Sequence, residues 1–297
     1  MLRFLPAPIV GIIALIGYGL NSLIMPWLIF GAALLRFIPL PNWQKKCTYF
    51  LNQSLVYWTD INNFIIRHTT RIHWDIQGIE NLKANDWYLI ICNHQTWTDI
   101  FVLNYIFNRK IPALKFFMKK ELLWHLPFAG LAAKLAGFPL MHRHSKEYLA
   151  KHPEQKGKDI EITRKACEQF KDTPTTVISF VEGTRFTPEK QQRQASPYQY
   201  LLRPKAGGIA FSLAAMGTYF HKLLNVTIVY PEEKPTLWKF CCGKITRIIV
   251  RVEVLPITEE LLGDYENDRK FRVSFQSWIN SVWQTKDHLI TKLLSSS

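Results

Sequence analysis

The chain has 297 residues, of which 48% are hydrophobic and 20% are charged. This composition excludes an intrinsically disordered chain, a collagen-like repeat and a protein with many membrane spans. Its 37 Lys and Arg residues against 23 Asp and Glu residues give a net charge of +14, which favours partners that carry phosphate, such as nucleic acid or anionic lipid. The five cysteines show no paired C-x-x-C spacing, so neither a zinc site nor a disulfide framework is expected.

A long apolar segment lies at the start of the chain. No charged residue occurs from Phe4 to Leu35, and about 20 apolar residues suffice to cross the hydrocarbon core of a bilayer. The run is too long for the apolar part of a secretory signal peptide, so residues 1–40 are predicted to form a retained N-terminal membrane anchor. Asn21 and Pro26 inside it fit either a tilted, kinked helix or a re-entrant pair of half-helices.

The charges on either side of this segment predict its orientation. Only Arg3 precedes it, whereas Arg36, Lys45 and Lys46 follow it. Since positive residues accumulate on the cytoplasmic side of a membrane span, the body of the protein is expected on that side.

After the anchor the pattern becomes helical and then alternates. Residues 41–74 carry spaced aromatic and aliphatic side chains, and they are predicted to form a connecting, interfacial helical segment. From Trp87 onward, short β-type runs alternate with helical ones. Residues 75–297 are therefore predicted to form an α/β domain with a central sheet flanked by helices.

Two later segments depart from this alternation. The Gln-rich stretch from Pro188 to Pro204 is bracketed by prolines, which predicts an excursion or flap. The run from Asp268 to Leu294 has aromatic and aliphatic residues at helical spacing, and it is predicted to be a final helix that covers the core.

The strongest chemical signal is NHQTWTD at residues 93–99, where the first β-type run ends. In a regular helix, His94 and Asp99 would point about 140° apart, whereas across a strand-to-helix turn they can meet. The carboxylate would then orient the imidazole, which could take a proton from a hydroxyl group. The plainer alternative is a loop histidine beside an aspartate that caps a helix.

A second polar cluster, FVEGTR at residues 180–185, follows another β-type run. Gly183 permits close backbone approach, and Arg185 can grip a phosphate with two hydrogen bonds. If the two strands are neighbours in a parallel sheet, both clusters lie at its ligand-binding edge.

Together the two motifs resemble those of the PlsC-type glycerolipid acyltransferases, a family that includes 1-acylglycerol-3-phosphate O-acyltransferase. Its N-H-x4-D signature matches Asn93, His94 and Asp99, and its F-P-E-G-T-R signature matches residues 180–185 with Val181 in place of proline. The resemblance covers roughly residues 75–256. The segments KAGGIA and LLNVTIVYP look most like the YihG-like branch of the bacterial inner membrane.

This resemblance implies roles for individual residues. His94 would be the general base and Asp99 would orient it. The implied substrate-binding residues are Asn93, Lys119, Arg143, Glu182, Gly183, Thr184 and Arg185. Among these, Arg185 and Lys119 would contact the phosphate of the acceptor.

The resemblance also implies the partners of the protein. The acyl donor would be acyl-CoA or acyl carrier protein, and the acceptor a lysophospholipid, lysophosphatidic acid by default. No metal or redox cofactor is expected. An anionic membrane is an expected partner, and nucleic acid is not, because no recognisable nucleic-acid-binding module accompanies the positive charge.

Three hypotheses stay open at this point. The first is a membrane-bound O-acyltransferase that uses His94 and Asp99 on a lysophospholipid. The second is a lysophospholipid hydrolase or thioesterase that uses the same pair to activate water, and the third is a non-catalytic membrane lipid-binding protein. The first is favoured because Arg185 and Lys119 supply a phosphate site that a simple thioesterase does not need.

Overall fold

The computed structural model describes residues 4–116, 118–119, 127–138, 140–141, 173–217, 219–220, 222–232, 234–265 and 267–296. Its helices are α1 Ala7–Leu35, α2 Pro41–Thr69, α3 Thr98–Phe107, α4 Pro127–Leu135, α5 Pro188–Arg193, α6 Ala206–Met216, α7 Leu237–Cys241 and α8 Arg269–Ser295, with a 3-10 turn at Glu259–Leu261. Its strands are β1 His73–Gln77, β2 Tyr88–Cys92, β3 Leu114–Phe116, β4 Met118–Lys119, β5 Leu140–Met141, β6 Thr176–Phe180, β7 Lys222–Val229 and β8 Arg247–Leu255.

The described strands form a central sheet and a small second one. The central sheet has the order β1-β8-β7-β2-β6-β3, and β4 pairs with β5 in the second sheet. β2 lies parallel to both β6 and β7, whereas β7 and β8 are antiparallel. All five residues of β2 are buried, as is typical of a central parallel strand covered on both faces. The predicted α/β fold, with a central sheet flanked by helices, is confirmed.

Side chains that alternate along the strands build a hydrophobic core on each face of the sheet. On one face, Ile90 and Val226 pack with residues of α1, α3 and α7. On the other face, Leu89 and Val177 pack with residues of α6 and α8, including the fully buried Trp283. Burying one such aliphatic side chain contributes about 1.5–3 kcal/mol, so both layers of helices are held firmly against the sheet.

The two N-terminal helices form an antiparallel pair. α1 runs through Pro26 as one continuous helix, so the structure contains a single helix there and not two half-helices. The side-chain amide of Asn21 donates to the carbonyl oxygen of Trp58 and to Oδ1 of Asn62, each at 2.9 Å. These bonds tie α1 to α2 and satisfy a polar group inside an apolar helix.

α1 is long and apolar enough to cross a membrane, yet part of it packs on the body of the protein. Ala14 is fully buried in the core of the first sheet face. Gly11 also lies close to the body, since a Cβ atom there would be 2.6 Å from Sγ of Cys242. The outward-facing side chains of α1 include Ile9, Ile12, Ile16, Leu20, Leu23 and Trp27.

The last helix and the proline-bracketed segment lie against each other. α8 begins after Asp268, which caps it by accepting the backbone N–H groups of Lys270 and Phe271, and the predicted final helix is confirmed. The segment from Pro188 leaves the sheet as expected, but Asp287 of α8 accepts its backbone N–H groups at Gln199 and Tyr200, each at 2.8 Å. The predicted flap is therefore bonded to α8.

Candidate active site

His94 and Asp99 meet in the turn between β2 and α3. β2 ends at Cys92 and α3 begins at Thr98, so the turn is the strand-to-helix connection that the spacing predicts. Nδ1 of His94 lies 2.8 Å from Oδ2 of Asp99. The contact is present in the structure, and its catalytic use stays a prediction.

Asp99 is fully buried, and both of its carboxylate oxygens accept hydrogen bonds. Oδ2 also accepts the backbone N–H groups of Gln95 at 2.6 Å and Thr96 at 2.9 Å, and Oδ1 accepts the hydroxyl of Tyr230 at 2.6 Å. Because an ionised carboxylate can only accept, His94 carries its proton on Nδ1, which leaves Nε2 able to take another. Burial, together with the charge of Asp99, raises the pKa of the Tyr230 hydroxyl well above its ordinary value, so this group stays a donor.

The His94 ring is held from one side and partly open to solvent. It stacks on the ring of Phe180, with centroids 3.9 Å apart and planes 16° apart. Its side chain is 14% exposed. The ring therefore has a fixed orientation and an edge that a substrate can reach.

The two motifs lie side by side, as expected for neighbouring parallel strands. Cys92 of β2 pairs in register with Phe180 of β6. The backbone N–H of Phe186 also donates to the carbonyl oxygen of His94 at 2.7 Å. The parallel sheet thus brings both polar clusters to one edge.

Asn93 bonds to the neighbouring strand. Its side-chain amide donates to the carbonyl oxygen of Ile228 at 2.9 Å, and its Oδ1 accepts the backbone N–H of the same residue at 2.9 Å. The side chain is fully buried and extends the pairing of β2 with β7 beyond the end of β2. In this arrangement Asn93 fixes the start of the His94 turn.

Glu182, two residues after the end of β6, is also fully buried. Its Oε2 accepts a hydrogen bond from the backbone N–H of Leu202 at 3.3 Å. Burial raises the pKa of this carboxyl above its ordinary value. The side chain has no exposed surface, and its predicted part in substrate binding stays a prediction.

Gly183 and Thr184 shape the loop that follows. Gly183 has a φ of +68°, and a Cβ atom there would lie 3.2 Å from Nζ of Lys205, so a larger residue would be both strained and crowded. Oγ1 of Thr184 accepts a hydrogen bond from Nζ of Lys190 at 2.7 Å. Thr184 thus holds the side chain of Lys190, and the absence of a side chain at Gly183 leaves room for that of Lys205.

Three cations, which we call the cation cluster, lie on the open side of the site: Arg185, Lys190 and Lys234. Cζ of Arg185 lies 5.1 Å from the ring centroid of Trp97, a side chain that is 55% exposed. Nζ of Lys190 donates to the carbonyl oxygen of Arg185 at 3.0 Å, and Nζ of Lys234 donates to that of Phe186 at 2.5 Å. Burial lowers the pKa of Lys234, and the nearby cations lower it further. Such a cluster can bind an anion such as phosphate.

Two other residues that were predicted to bind substrate are not placed. Lys119 belongs to β4, whose backbone pairs with β5, and only its backbone is described. Arg143 lies outside the described residues. Their contact with substrate stays a prediction.

Sequence reasoning missed the roles of Tyr230, Lys190 and Lys234. Tyr230 directly follows β7, and β7 is parallel to β2, so a polar residue at the end of that run belongs to the same edge of the sheet. That signal was available. The two lysines carry no comparable signal, because a lysine in a polar loop looks the same whether it lies at a site or in solvent.

The arrangement can perform general-base chemistry next to an anion. His94 can accept a proton, buried Asp99 stabilises the imidazolium that results, and the cation cluster can hold a charged group nearby. Among the described residues, no serine or cysteine side chain is hydrogen-bonded to His94. The geometry thus fits activation of a hydroxyl that is brought in by a substrate.

Comparison with known proteins finds a matching family and two relatives. A family model described as Acyltransferase matches residues 73–230, just over half of the chain. The 2-acyl-1-lysophosphatidylinositol acyltransferase of Saccharomyces cerevisiae is 23% identical over 261 residues, which cover 73% of this chain and 64% of that protein. The 1-acyl-sn-glycerol-3-phosphate acyltransferase of the same yeast is 29% identical over 227 residues, which cover 74% and 65%. The chain thus spans slightly less than two thirds of these relatives.

A solved structure has the same fold. The 1-acyl-sn-glycerophosphate acyltransferase PlsC from Thermotoga maritima superposes with a TM-score of 0.52 at 15% sequence identity. The superposition covers 94% of this chain and 98% of that chain. At this identity the likeness concerns the fold, including the N-terminal helices.

Proposed function

The chain belongs to the acyltransferase family, and from this premise we propose that it transfers a fatty acyl group from acyl-CoA or acyl carrier protein to the free hydroxyl of a lysophospholipid at a membrane. The observation that carries the proposal is the 2.8 Å contact between His94 and a fully buried Asp99, beside exposed Arg185. Acyl transfer needs a base for the acceptor hydroxyl, and a phosphate-bearing acceptor needs a cation near it.

The transfer follows from the protonation states of the pair. Nε2 of His94 takes the proton of the acceptor hydroxyl as its oxygen attacks the carbonyl carbon of the thioester. Asp99 stabilises the imidazolium through Nδ1. As the tetrahedral intermediate collapses, the C–S bond breaks and the imidazolium returns the proton to the leaving sulfur. The acyl group passes directly to the acceptor, and no covalent acyl-enzyme is formed.

The acceptor would be held by its phosphate. Arg185 and the two lysines of the cation cluster present positive charge within reach of the dyad, and this favours an acceptor whose hydroxyl lies a few bonds from a phosphate. Lysophosphatidic acid is the simplest such acceptor. The names of the two yeast relatives include both a lysophosphatidylinositol and a glycerol-3-phosphate ester, so the headgroup is the variable that the assay must scan.

The membrane part of the proposal rests on α1. This helix presents a row of large apolar side chains to its surroundings, and these would be buried by lipid tails. Lys and Arg residues near an anionic leaflet contribute about 1 kcal/mol each, so part of the +14 net charge would help hold the body against lipid. We place the protein at a bacterial inner membrane with its catalytic side toward the cytoplasm, on the charges that flank α1 and the YihG-like resemblance.

The test is acyl transfer in lipid vesicles. Radiolabelled acyl-CoA and acyl carrier protein are each offered with a panel of lysophospholipids, using the wild type, His94→Ala and His288→Ala. His288 is an exposed histidine of α8 and serves as the matched control. We expect a diacyl product with the wild type and the control, and a loss of about 100-fold or more with His94→Ala.

Three outcomes would contradict the proposal, the first two in its reaction and the third in its base. Free fatty acid released without acceptor, and lost in His94→Ala, would make the protein a hydrolase or thioesterase. Lipid binding without turnover of either donor, unchanged in His94→Ala, would make it a lipid-binding protein. Diacyl product formed at equal rates by wild type and His94→Ala would leave the family assignment intact but would show that His94 is not the general base.

A further inference from the structure

Trp97 is the most exposed residue of the turn that carries the catalytic pair. It is 55% exposed, whereas Thr98 and Asp99, which follow it, are fully buried. Packing into the core therefore does not account for this large side chain. An aromatic ring with an accessible face can instead hold a cation against that face.

The cation at this ring is Arg185. Its Cζ lies 5.1 Å from the centroid of the Trp97 ring, within the distance at which the face of an aromatic ring attracts a guanidinium group. Within the part of the chain that the structure describes, this guanidinium has no hydrogen-bond or ion-pair partner. The ring thus confines a side chain whose N–H donors are all free to bind a phosphate.

The ring and the general base belong to one fixed turn. Trp97 follows His94 by three residues and precedes Asp99 by two. Next to the ring, the backbone N–H of Thr96 donates to Asp99 at 2.9 Å, and the hydroxyl of Thr96 donates to the carbonyl oxygen of Pro235 at 2.8 Å. The ring, and with it the guanidinium, therefore keeps a set distance from His94.

A set distance between a cation and a base selects among acceptor hydroxyls. In a glycerol 3-phosphate ester, the hydroxyl on the central carbon is one bond closer to the phosphate than the hydroxyl on the terminal carbon. When the phosphate is bound by the guanidinium, only one of these hydroxyls reaches the base correctly, because a displacement of about 1 Å slows the chemical step strongly.

We propose that Trp97 is a positioning residue that determines which hydroxyl is acylated: its ring holds the guanidinium of Arg185 at a distance from His94 that matches one of the two isomers of a lysophospholipid. Trp97 lies inside the motif at residues 93–99, but at a position to which the motif implies no role. The inference rests on the proposed function, in which Arg185 binds the acceptor phosphate and His94 is the base.

The test compares Trp97→Leu with Trp27→Leu, since Trp27 of α1 is a tryptophan that is 65% exposed. Leucine keeps an apolar side chain but has no aromatic face. The acceptors are 1-O-alkyl- and 2-O-alkyl-glycerol 3-phosphate in detergent micelles, because an ether-linked chain cannot migrate between the two oxygens. We expect the wild type to prefer one isomer about 10-fold or more in kcat/KM. Trp97→Leu should reduce this ratio about 3-fold or more, and Trp27→Leu should not change it.

The kinetic constants distinguish support of the arginine from damage to the base. For the preferred isomer, Trp97→Leu should raise the acceptor KM about 2- to 5-fold and keep kcat within about 2-fold of wild type, because the guanidinium loses its support while His94 stays in place. The conservative variant Trp97→Tyr keeps an aromatic face. Its acceptor KM and isomer ratio should lie between those of wild type and Trp97→Leu.

A double variant shows whether the ring acts through the arginine. Without the guanidinium the ring has nothing to hold, so Trp97→Leu/Arg185→Ala should match Arg185→Ala in acceptor KM and isomer ratio within about 2-fold. A further loss in the double variant would overturn the proposal. An isomer ratio that Trp97→Leu leaves unchanged, or a wild type that does not distinguish the two isomers, would overturn it as well.

Binding of the ether-linked acceptors gives a measurement that needs no turnover. By isothermal titration, the Kd of the isomer that binds more tightly should rise about 2- to 5-fold in Trp97→Leu and stay unchanged in Trp27→Leu. Thermal unfolding of both variants should match that of the wild type, since both side chains are exposed. Equal Kd values in wild type and Trp97→Leu would overturn the proposal. A wild type that binds the acceptor without acyl transfer would refute the proposed function instead, and the Kd comparison would still decide on Trp97.

Discussion

The turn that carries His94 and Asp99 and the loop that carries Arg185 leave neighbouring parallel strands, yet the structure constrains them differently. In the first, Asp99 is fully buried and accepts four hydrogen bonds, from His94, Gln95, Thr96 and Tyr230. In the second, Arg185 is exposed and rests on Trp97, a side chain that is itself exposed.

This difference matches two chemical demands. The position of a general base must be fixed to within a few tenths of an ångström. Its hydrogen-bond partners are therefore buried backbone and side-chain groups. A group that binds a phosphate acts over a longer range and must adapt to the acceptor, so it can remain on a mobile, exposed side chain. Variants on the two sides should therefore separate kcat from KM.

The largest effect is expected for Asp99→Asn. The backbone N–H groups of Gln95 and Thr96 donate to the Oδ2 position, so only an oxygen fits there. The asparagine would therefore turn its NH₂ group toward the hydroxyl oxygen of Tyr230, and the tautomer of His94 would be kept. The loss is then that of the negative charge beside the imidazolium, and kcat should fall about 100-fold or more with little change in acceptor KM. Steady-state kinetics measure both, with Asp75→Asn on β1 as the control. A kcat within about 2-fold of wild type would remove Asp99 from the mechanism.

The next largest effect is expected on binding. Arg185→Ala removes an exposed guanidinium from the cation cluster and should raise the acceptor KM about 10-fold, with kcat within about 2- to 3-fold of wild type. Arg193→Ala, an exposed arginine at the end of α5, is the matched control. The difference in acceptor KM between the two variants should become smaller at high salt, because exposed charges are screened. An unchanged acceptor KM would exclude Arg185 from phosphate binding.

Tyr230→Phe should give a smaller effect on the chemical step. It removes the hydrogen bond to Oδ1 of Asp99 and leaves the other three in place, so kcat should fall about 5- to 10-fold at constant acceptor KM. Tyr88→Phe is the control, since Tyr88 is also buried but its hydroxyl accepts a hydrogen bond from the backbone N–H of Lys83, at the opposite end of β2. If both variants lose activity alike, the effect of Tyr230 is one of packing.

The smallest effect is expected for Lys234→Met, and it depends on pH. Burial and neighbouring cations lower the pKa of Lys234, so its charge is present at low pH and is lost as pH rises through that pKa, which lies below the usual value of about 10.4. The acceptor KM of the wild type should therefore increase toward alkaline pH. Lys234→Met should raise KM about 2- to 3-fold at neutral pH and flatten this increase, whereas exposed Lys244→Met should do neither. A KM that rises equally in wild type and Lys234→Met would assign the pH effect to another group.

Much of the fold could be predicted from periodicity. The alternation of β-type and helical runs predicted a sheet covered by helices, and the final helix was predicted to within one residue at each end, because strong amphipathic patterns and a capping aspartate depend on local sequence. The position of α1 was not predictable in the same way. Its apolar sequence indicates a membrane segment, whereas the burial of Ala14 against the body depends on residues far away in the chain.

The candidate site shows the same division. The pairing of His94 with Asp99 could be read from their spacing and the strand end before them, and the proximity of the two motifs from the parallel sheet. The inward positions of Asn93 and Glu182 could not be predicted, because a motif does not indicate which of its residues are buried. The YihG-like assignment also stays a prediction. The acceptor headgroup and the acyl donor stay open as well, because they depend on the shape of the pocket.

The amino-acid sequence by itself determined the chemistry available to this protein: an apolar first helix, an imidazole and a carboxylate at a strand end, and an arginine after a neighbouring strand. Only the tertiary structure decided which distant residues complete the site. Tyr230 lies 131 residues from Asp99 and still donates to it, and Phe180, which follows in a different strand, stacks on the ring of His94. Local patterns report the character of each segment, but such contacts arise from how the whole chain packs, and they fix the positions of His94 and Asp99.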